Sequence, residues 1–208
     1  MRNVLLALIA VPLVSACTAT VQSGPSRPAP VREYREPPPP PPPPPPTGGS
    51  TPYSGTAPTM PGKIEFENYD GGGMDIAYYD TTASNTGAVY RSNAVDIQAS
   101  TDTGGGYNIG WTAAREWLKY TVNVGAAGTY AIDVRVASKG AGGTFHIEVN
   151  GVDKTGPMTV ADTGGWQVWK TLTKTGVALS AGPQVIRVVM DATGASGSVA
   201  NFNWFAIR

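Results

Sequence analysis

Few residues of this chain have both the type and the setting to carry a reaction. His146 is the only histidine and Cys17 the only cysteine. His146 alternates with Phe145, Ile147 and Val149, which predicts the polar face of a strand and a solvated imidazole rather than a general base. Glycoside hydrolysis needs two carboxyl groups flanking a cleft. Glu116 and Glu148 are expected on strands, and nothing in their spacing aims one at the other. No G-x-S-x-G elbow, H-E-x-x-H run or cysteine pair at metal-ligand spacing occurs. The expectation is a protein that binds and does not catalyse.

The aromatic residues say what it could bind. Five Trp and nine Tyr are many for this length, and several stand among glycines and polar residues instead of within apolar alternation. Trp166 follows Asp162-Thr163-Gly164-Gly165, a turn that would lift its indole clear of the body. Tyr90, between Gly87-Ala88-Val89 and Arg91-Ser92-Asn93, is equally loop-like. A sugar ring has an apolar C–H face that a flat aromatic covers, and hydroxyls that amides and carboxylates bind. Trp117, Tyr120, Tyr130 and Trp204 lie inside strand patterns and are read as core.

The elements that must hold these residues have period 2. Leu118, Tyr120, Val122 and Val124 alternate with Lys119, Thr121 and Asn123; Tyr130, Ile132, Val134 and Val136 alternate with Ala131, Asp133 and Arg135. Asn150-Gly151 is a hairpin signal, and glycine clusters separate the remaining strand candidates. Such spacing without an amphipathic helix predicts an all-β sandwich or barrel. Glu65 and Glu67 are i, i+2, so in a strand their carboxylates share one face. They could be exposed acids or oxygen ligands of a hard cation.

The folded body is expected over residues 63–208. It carries 11 Lys/Arg against 13 Asp/Glu and no basic run, so nucleic acid is not an expected partner. Before it, 16 of the 19 prolines fall between Pro25 and Pro61, ten of them consecutive at Pro37–Pro46. Residues 17–62 therefore read as a disordered, semi-rigid tether. Arg2, the apolar run Val4–Val14 and the small residues Ser15-Ala16 read as a signal peptide, 1–16. Val14-Ser15-Ala16-Cys17 resembles the lipobox of bacterial lipoproteins, which implies lipidation of Cys17 and anchorage to a bacterial membrane. Thr18 lacks the aspartate that favours inner-membrane retention, so the outer membrane is expected.

Seven segments of the body, in order and spacing, resemble the family 6 carbohydrate-binding modules. They are Ile64–Asp70, Ala77–Thr82, Ala88–Arg91, the run Tyr107–Thr112 with Glu116–Val122, Gly143–Gly151, Thr163–Gln167 and Asn201–Trp204. The resemblance implies a β-jelly-roll sandwich of two antiparallel sheets with a sugar site in the loops at one end. It places the two ring-sandwiching aromatics on Tyr90 and Trp166 and the hydroxyl-binding asparagine on Asn201. An acidic or polar position in the glycine-rich loop after the first strand points to Asp75. It also implies a structural calcium, held by Glu65, Glu67 and Asn203, the last standing where an aspartate is common. Some members bind in a second cleft on the concave sheet face.

Together these readings describe a non-catalytic, monomeric polysaccharide-binding module on an exported lipoprotein, tied to the membrane by its lipid. The alternatives are a structural or adhesin-like lipoprotein that binds protein or wall glycan, and an accessory subunit of a glycoside hydrolase or lyase.

Overall fold

The computed structural model describes residues 49–208. The signal segment, Cys17 and Pro37–Pro46 lie outside them. The strands are β1 (Thr59–Met60), β2 (Gly62–Glu65), β3 (Tyr78–Tyr79), β4 (Ile97–Ala99), β5 (Tyr107–Ile109), β6 (Trp117–Val124), β7 (Gly128–Ser138), β8 (Thr144–Val149), β9 (Val152–Asp153), β10 (Met158–Thr159), β11 (Gly165–Leu179), β12 (Gly182–Ala192) and β13 (Asn201–Ile207). A 3-10 turn, Phe66–Asn68, follows β2, and no α-helix occurs among the described residues.

Seven strands form one sheet, in the order β1-β6-β12-β8-β10, with β3 beside β6 and β9 beside β8. Six form the other, in the order β11-β7-β13-β5-β4, with β2 beside β13. Pairing is antiparallel except between β1 and β6. The expected two-sheet sandwich is the fold.

Alternation makes the core. Leu118, Tyr120 and Val122 of β6, Phe145 and Ile147 of β8, and Ile186 and Val188 of β12 face Val134, Val136, Phe202 and Phe205 of the other sheet. Phe66 binds the layers together, its ring 5.9 Å from Tyr120 of one sheet and 5.1 Å from Phe202 of the other. Each such side chain stabilises the fold by about 1.5–3 kcal/mol relative to exposure.

The same alternation sends Trp117 and Trp204 to the outer faces, where Trp117 is buried as read and Trp204, half-buried, is not part of the core. Each is out of phase with its core neighbour, Leu118 or Phe205. Trp117 has Lys119 Nζ 5.4 Å and Arg187 Cζ 5.6 Å from its ring. His146, expected in solvent, is part-buried on this face between two acids: Nδ1 is 2.7 Å from Asp191 Oδ1 and Nε2 3.3 Å from Glu148 Oε1. Glu148 also accepts Arg187 Nε at 2.8 Å and Nη2 at 2.7 Å.

The boundary at residue 63 is corrected. Residues 49–62 belong to the folded body, as an arm laid along it. Thr51 and Gly71 exchange backbone hydrogen bonds of 2.9 and 2.8 Å, Ser50 Oγ donates to Asp70 Oδ2 at 2.8 Å, and β1 adds to the edge of β6. Met60 is 1% exposed and part of the core. Proline density hid this, because Pro52, Pro58 and Pro61 flank a single apolar anchor too short to show a period.

Candidate functional site

Two loops and the start of β11 meet at one end of the sandwich. Between them is a cleft of about 310 Å³ lined by Gln98, Trp111, Trp166, Ser196, Gly197, Ser198 and Asn201. None of these side chains is charged.

Trp166 reaches the cleft because β11 leaves its ladder there. Its pairing with β7 shifts register between Gly165 and Lys170, so residues 166–169 bulge away from regular pairing. The turn before it is the one read from the sequence. Asp162 Oδ1 accepts from Gly164 N at 2.8 Å and Gly140 N at 2.9 Å, and Gly164 has φ +100°. Gln167 fixes the far side of the bulge through Thr101 N (2.9 Å) and Asn108 Oδ1 (3.1 Å).

Asn201 is buried at the start of β13, and its Nδ2 donates to Trp166 O at 2.6 Å. Trp111 supplies the second indole, 47% exposed, from the loop joining β5 to β6. Gly110 lets that loop pass close to the floor of the cleft. A Cβ there would lie 3.1 Å from Gln98 Nε2 and 3.2 Å from Asn201 Oδ1. Thr112, fully buried, ties the Trp111 loop to the opposite wall. Its Oγ1 donates to Ala200 O (2.6 Å), and its carbonyl accepts from Ser198 Oγ (2.6 Å) and Val199 N (2.9 Å).

Trp166 and Asn201 therefore stand together as expected, and Tyr90 does not join them. Tyr90 lines a different, open groove with Met74, Asn85 and Arg91. Its ring is engaged by protein: the centroid is 4.7 Å from that of Tyr107 and 6.1 Å from that of Tyr53. Its hydroxyl donates to Asn68 Oδ1 at 2.7 Å and accepts from Tyr53 at 2.9 Å. The second aromatic of the Trp166 cleft is Trp111, which is not among the sequence expectations. The signal was Gly110, which breaks the Tyr107–Ile109 strand and turns the next residue outward. Asp75 stands apart from the cleft as well. It occupies a turn before β3 with φ +64°, its N–H bonded to Tyr78 O at 2.7 Å, and is not among the cleft residues.

The acids Glu65 and Glu67 do not share a strand face, because β2 ends at Glu65 and Glu67 lies in the 3-10 turn. Glu65 pairs with Lys63. Glu67 is buried with its Oε2 unpaired, and Asn203, at a register shift in β13, has its Oδ1 buried and unpaired. Asn203 Nδ2 donates to Asp102 Oδ2 at 2.9 Å. Burial, with Glu65 nearby, raises the Glu67 pKa to about 7. Glu67 Oε2 and Asn203 Oδ1 are each a buried oxygen without a donor, a condition that a bound cation relieves. Among the described residues no three His, Cys, Asp or Glu side chains gather at one point, so amide and backbone oxygens would have to complete such a site.

The model of the carbohydrate binding module (family 6) matches residues 86–208. The chain belongs to that family. Solved family 6 modules share the fold. One from Cellvibrio mixtus lichenase 5A, in complex with cellotriose, is 31% identical with a TM-score of 0.53, covering 71% of this chain and 96% of that one. A β-1,3-glucan-binding family 6 module from Bacillus halodurans is 28% identical with a TM-score of 0.55, covering 74% and 99%. Among curated relatives, the clotting factor G alpha subunit of Tachypleus tridentatus is 35% identical over 88 residues, 41% of this chain and 13% of its own length. A β-agarase of Microbulbifer thermotolerans is 32% identical over 102 residues, 48% and 22% of the two lengths. This family 6 module thus spans less than a quarter of either curated relative.

Proposed function

We propose that this family 6 module binds a neutral polysaccharide in the Trp111–Trp166 cleft and performs no reaction of its own. The observation that carries this is the pairing of two indoles with the Asn201 amide in one cleft without a charged side chain. The indoles cover the C–H faces of a ring. The Asn201 carbonyl oxygen, its Nδ2 being committed to Trp166, accepts from a hydroxyl, with Gln98 and Ser196 beside it. The module bound to cellotriose and the one that binds β-1,3-glucan make β-linked glucans the first candidates. Titration calorimetry of the full chain with cellotriose and a β-1,3-glucan oligosaccharide tests this. Heat from either sugar that disappears in Trp166→Ala supports the reading; heat that persists moves the site elsewhere.

The module is proposed to be exported as a lipoprotein on Cys17, monomeric, at the outer membrane. Labelling growing cells with an alkyne fatty acid tests it, and labelling that survives Cys17→Ser removes the lipid from the account.

A calcium ion is proposed to be held by Glu67 and Asn203 with Glu65 beside them. The two unpaired oxygens support it. Bound there, the ion would supply structural cross-linking between the 3-10 turn and β13.

A further inference from the structure

The loop carrying Trp111 is held in an unfavourable shape. Backbone φ is +50° at Trp111 and +79° at Arg115, a region that side-chain-bearing residues avoid. Such a conformation lasts only where its surroundings over-determine it. Thr112 is one anchor. The other is Glu116, which is buried and lies outside the cleft lining. Its Oε2 accepts from Ala113 N at 2.8 Å, and its Oε1 from Thr81 N at 3.1 Å and Thr81 Oγ1 at 2.6 Å. One carboxylate thus fastens the Trp111 loop to itself and to the segment after β3.

We propose that Glu116 is a positioning residue for glycan recognition, fixing the pose of Trp111 by holding Ala113 and Thr81 on its two oxygens. This rests on the reading of the Trp111–Trp166 cleft as the glycan site. All three partners donate to the ionised carboxylate; a proton on Glu116 makes it a weaker acceptor for the backbone N–H groups of Ala113 and Thr81, which cannot reverse their role as the Thr81 hydroxyl can. Burial raises the Glu116 pKa to about 7, and the charge of Asp80 adds to the effect. Asp80, just after β3, is the acid that faces Glu116. Asp96, just before β4, faces Asp80 in turn. Arg115, next in the chain, is exposed. As pH falls through about 7, the hold on the loop weakens and glycan affinity falls with it.

The test follows two signals in the full chain: affinity for cellotriose and a β-1,3-glucan oligosaccharide, and the NMR resonance of the Trp111 indole N–H. Both are measured from about pH 5.5 to about 8.5, more than a unit either side of the midpoint. In the wild type the resonance should move with a midpoint near pH 7, and affinity should be about three- to tenfold weaker at the acid end. Glu116→Gln should flatten both profiles and bind weakly throughout. Thr81→Val removes one donor from the ionised form and should shift the midpoint to higher pH. A Trp111 resonance that ignores pH, or titrates unchanged in Glu116→Gln, overturns the proposal. Should the Gln variant not fold, an unmoved midpoint in Thr81→Val does the same. If Trp166→Ala keeps full affinity while Trp111 still titrates with Glu116, the cleft reading fails and the role in glycan recognition falls with it, while the hold of Glu116 on the Trp111 loop stands.

Discussion

Asn201 donates its side-chain amide to the backbone carbonyl of Trp166 at 2.6 Å, across the seam between β13 and the bulge of β11. The residue suited to read a hydroxyl is thereby also the brace of one of the two indoles. Asn201→Ala should therefore act twice, losing a polar contact worth about 1–3 kcal/mol and loosening Trp166. Asn201→Asp keeps an acceptor and loses the brace, so calorimetry on the two variants separates the roles. Equal affinity for Asn201→Asp and wild type would show that the brace does not matter.

Trp111→Ala and Trp166→Ala should each weaken glycan binding by about 2 kcal/mol or more, roughly thirtyfold, with little change in melting temperature. Tyr90→Ala should leave affinity unchanged and lower the melting temperature, because its ring and hydroxyl are spent on Tyr53, Tyr107 and Asn68. Lost binding in Tyr90→Ala with a normal melt would return Tyr90 to the site.

Calcium should raise the melting temperature relative to chelator, since a ligand that binds only the folded state stabilises it by about 2.7 kcal/mol at a hundredfold excess over Kd. Glu67→Gln and Asn203→Ala should each shrink the gap. Superimposable melts with and without chelator would leave the two unpaired oxygens unexplained by a cation.

His146 makes stability depend on alkaline pH. Burial alone would lower its pKa, but hydrogen bonds to Asp191 and Glu148 outweigh that and lift it from 6.5 to about 9. The folded state therefore holds the proton more tightly than the unfolded chain. The stabilisation is complete below pH 6.5 and disappears as pH rises through about 9. At about 1.4 kcal/mol per unit it amounts to at most roughly 3 kcal/mol. Melts of wild type and His146→Gln should diverge at neutral pH and converge above pH 9; a constant difference would remove the ion pairs as its cause.

The sandwich was legible because period-two alternation over β6, β7 and β8 is a direct consequence of burying one face of each sheet. Trp166 was legible because an aspartate and two glycines announce a turn. Trp111 was not, since a tryptophan one residue beyond a strand looks like its continuation until the glycine before it is given weight. Tyr90 had the right neighbours and the wrong environment. Only the fold shows that Tyr53, 37 positions earlier, comes back to meet it. Burial of Glu67 was equally hidden, because one 3-10 turn replaces the strand that the i, i+2 spacing suggests.

Residues 49–62 sit between the rest of the N-terminal chain and the core strands, and this has a mechanical consequence. A force drawn from the N-terminal side, with the cleft held by its ligand, enters the body at residue 49. It meets first the hydrogen bond from Ser50 to Asp70 and the two joining Thr51 to Gly71, then the short β1 and the Met60 anchor. The contacts of Ser50 and Thr51 would have to give way before load reached β6 through β1 and the core through Met60. The arm would act as a clasp that takes up part of a tug before the sandwich does.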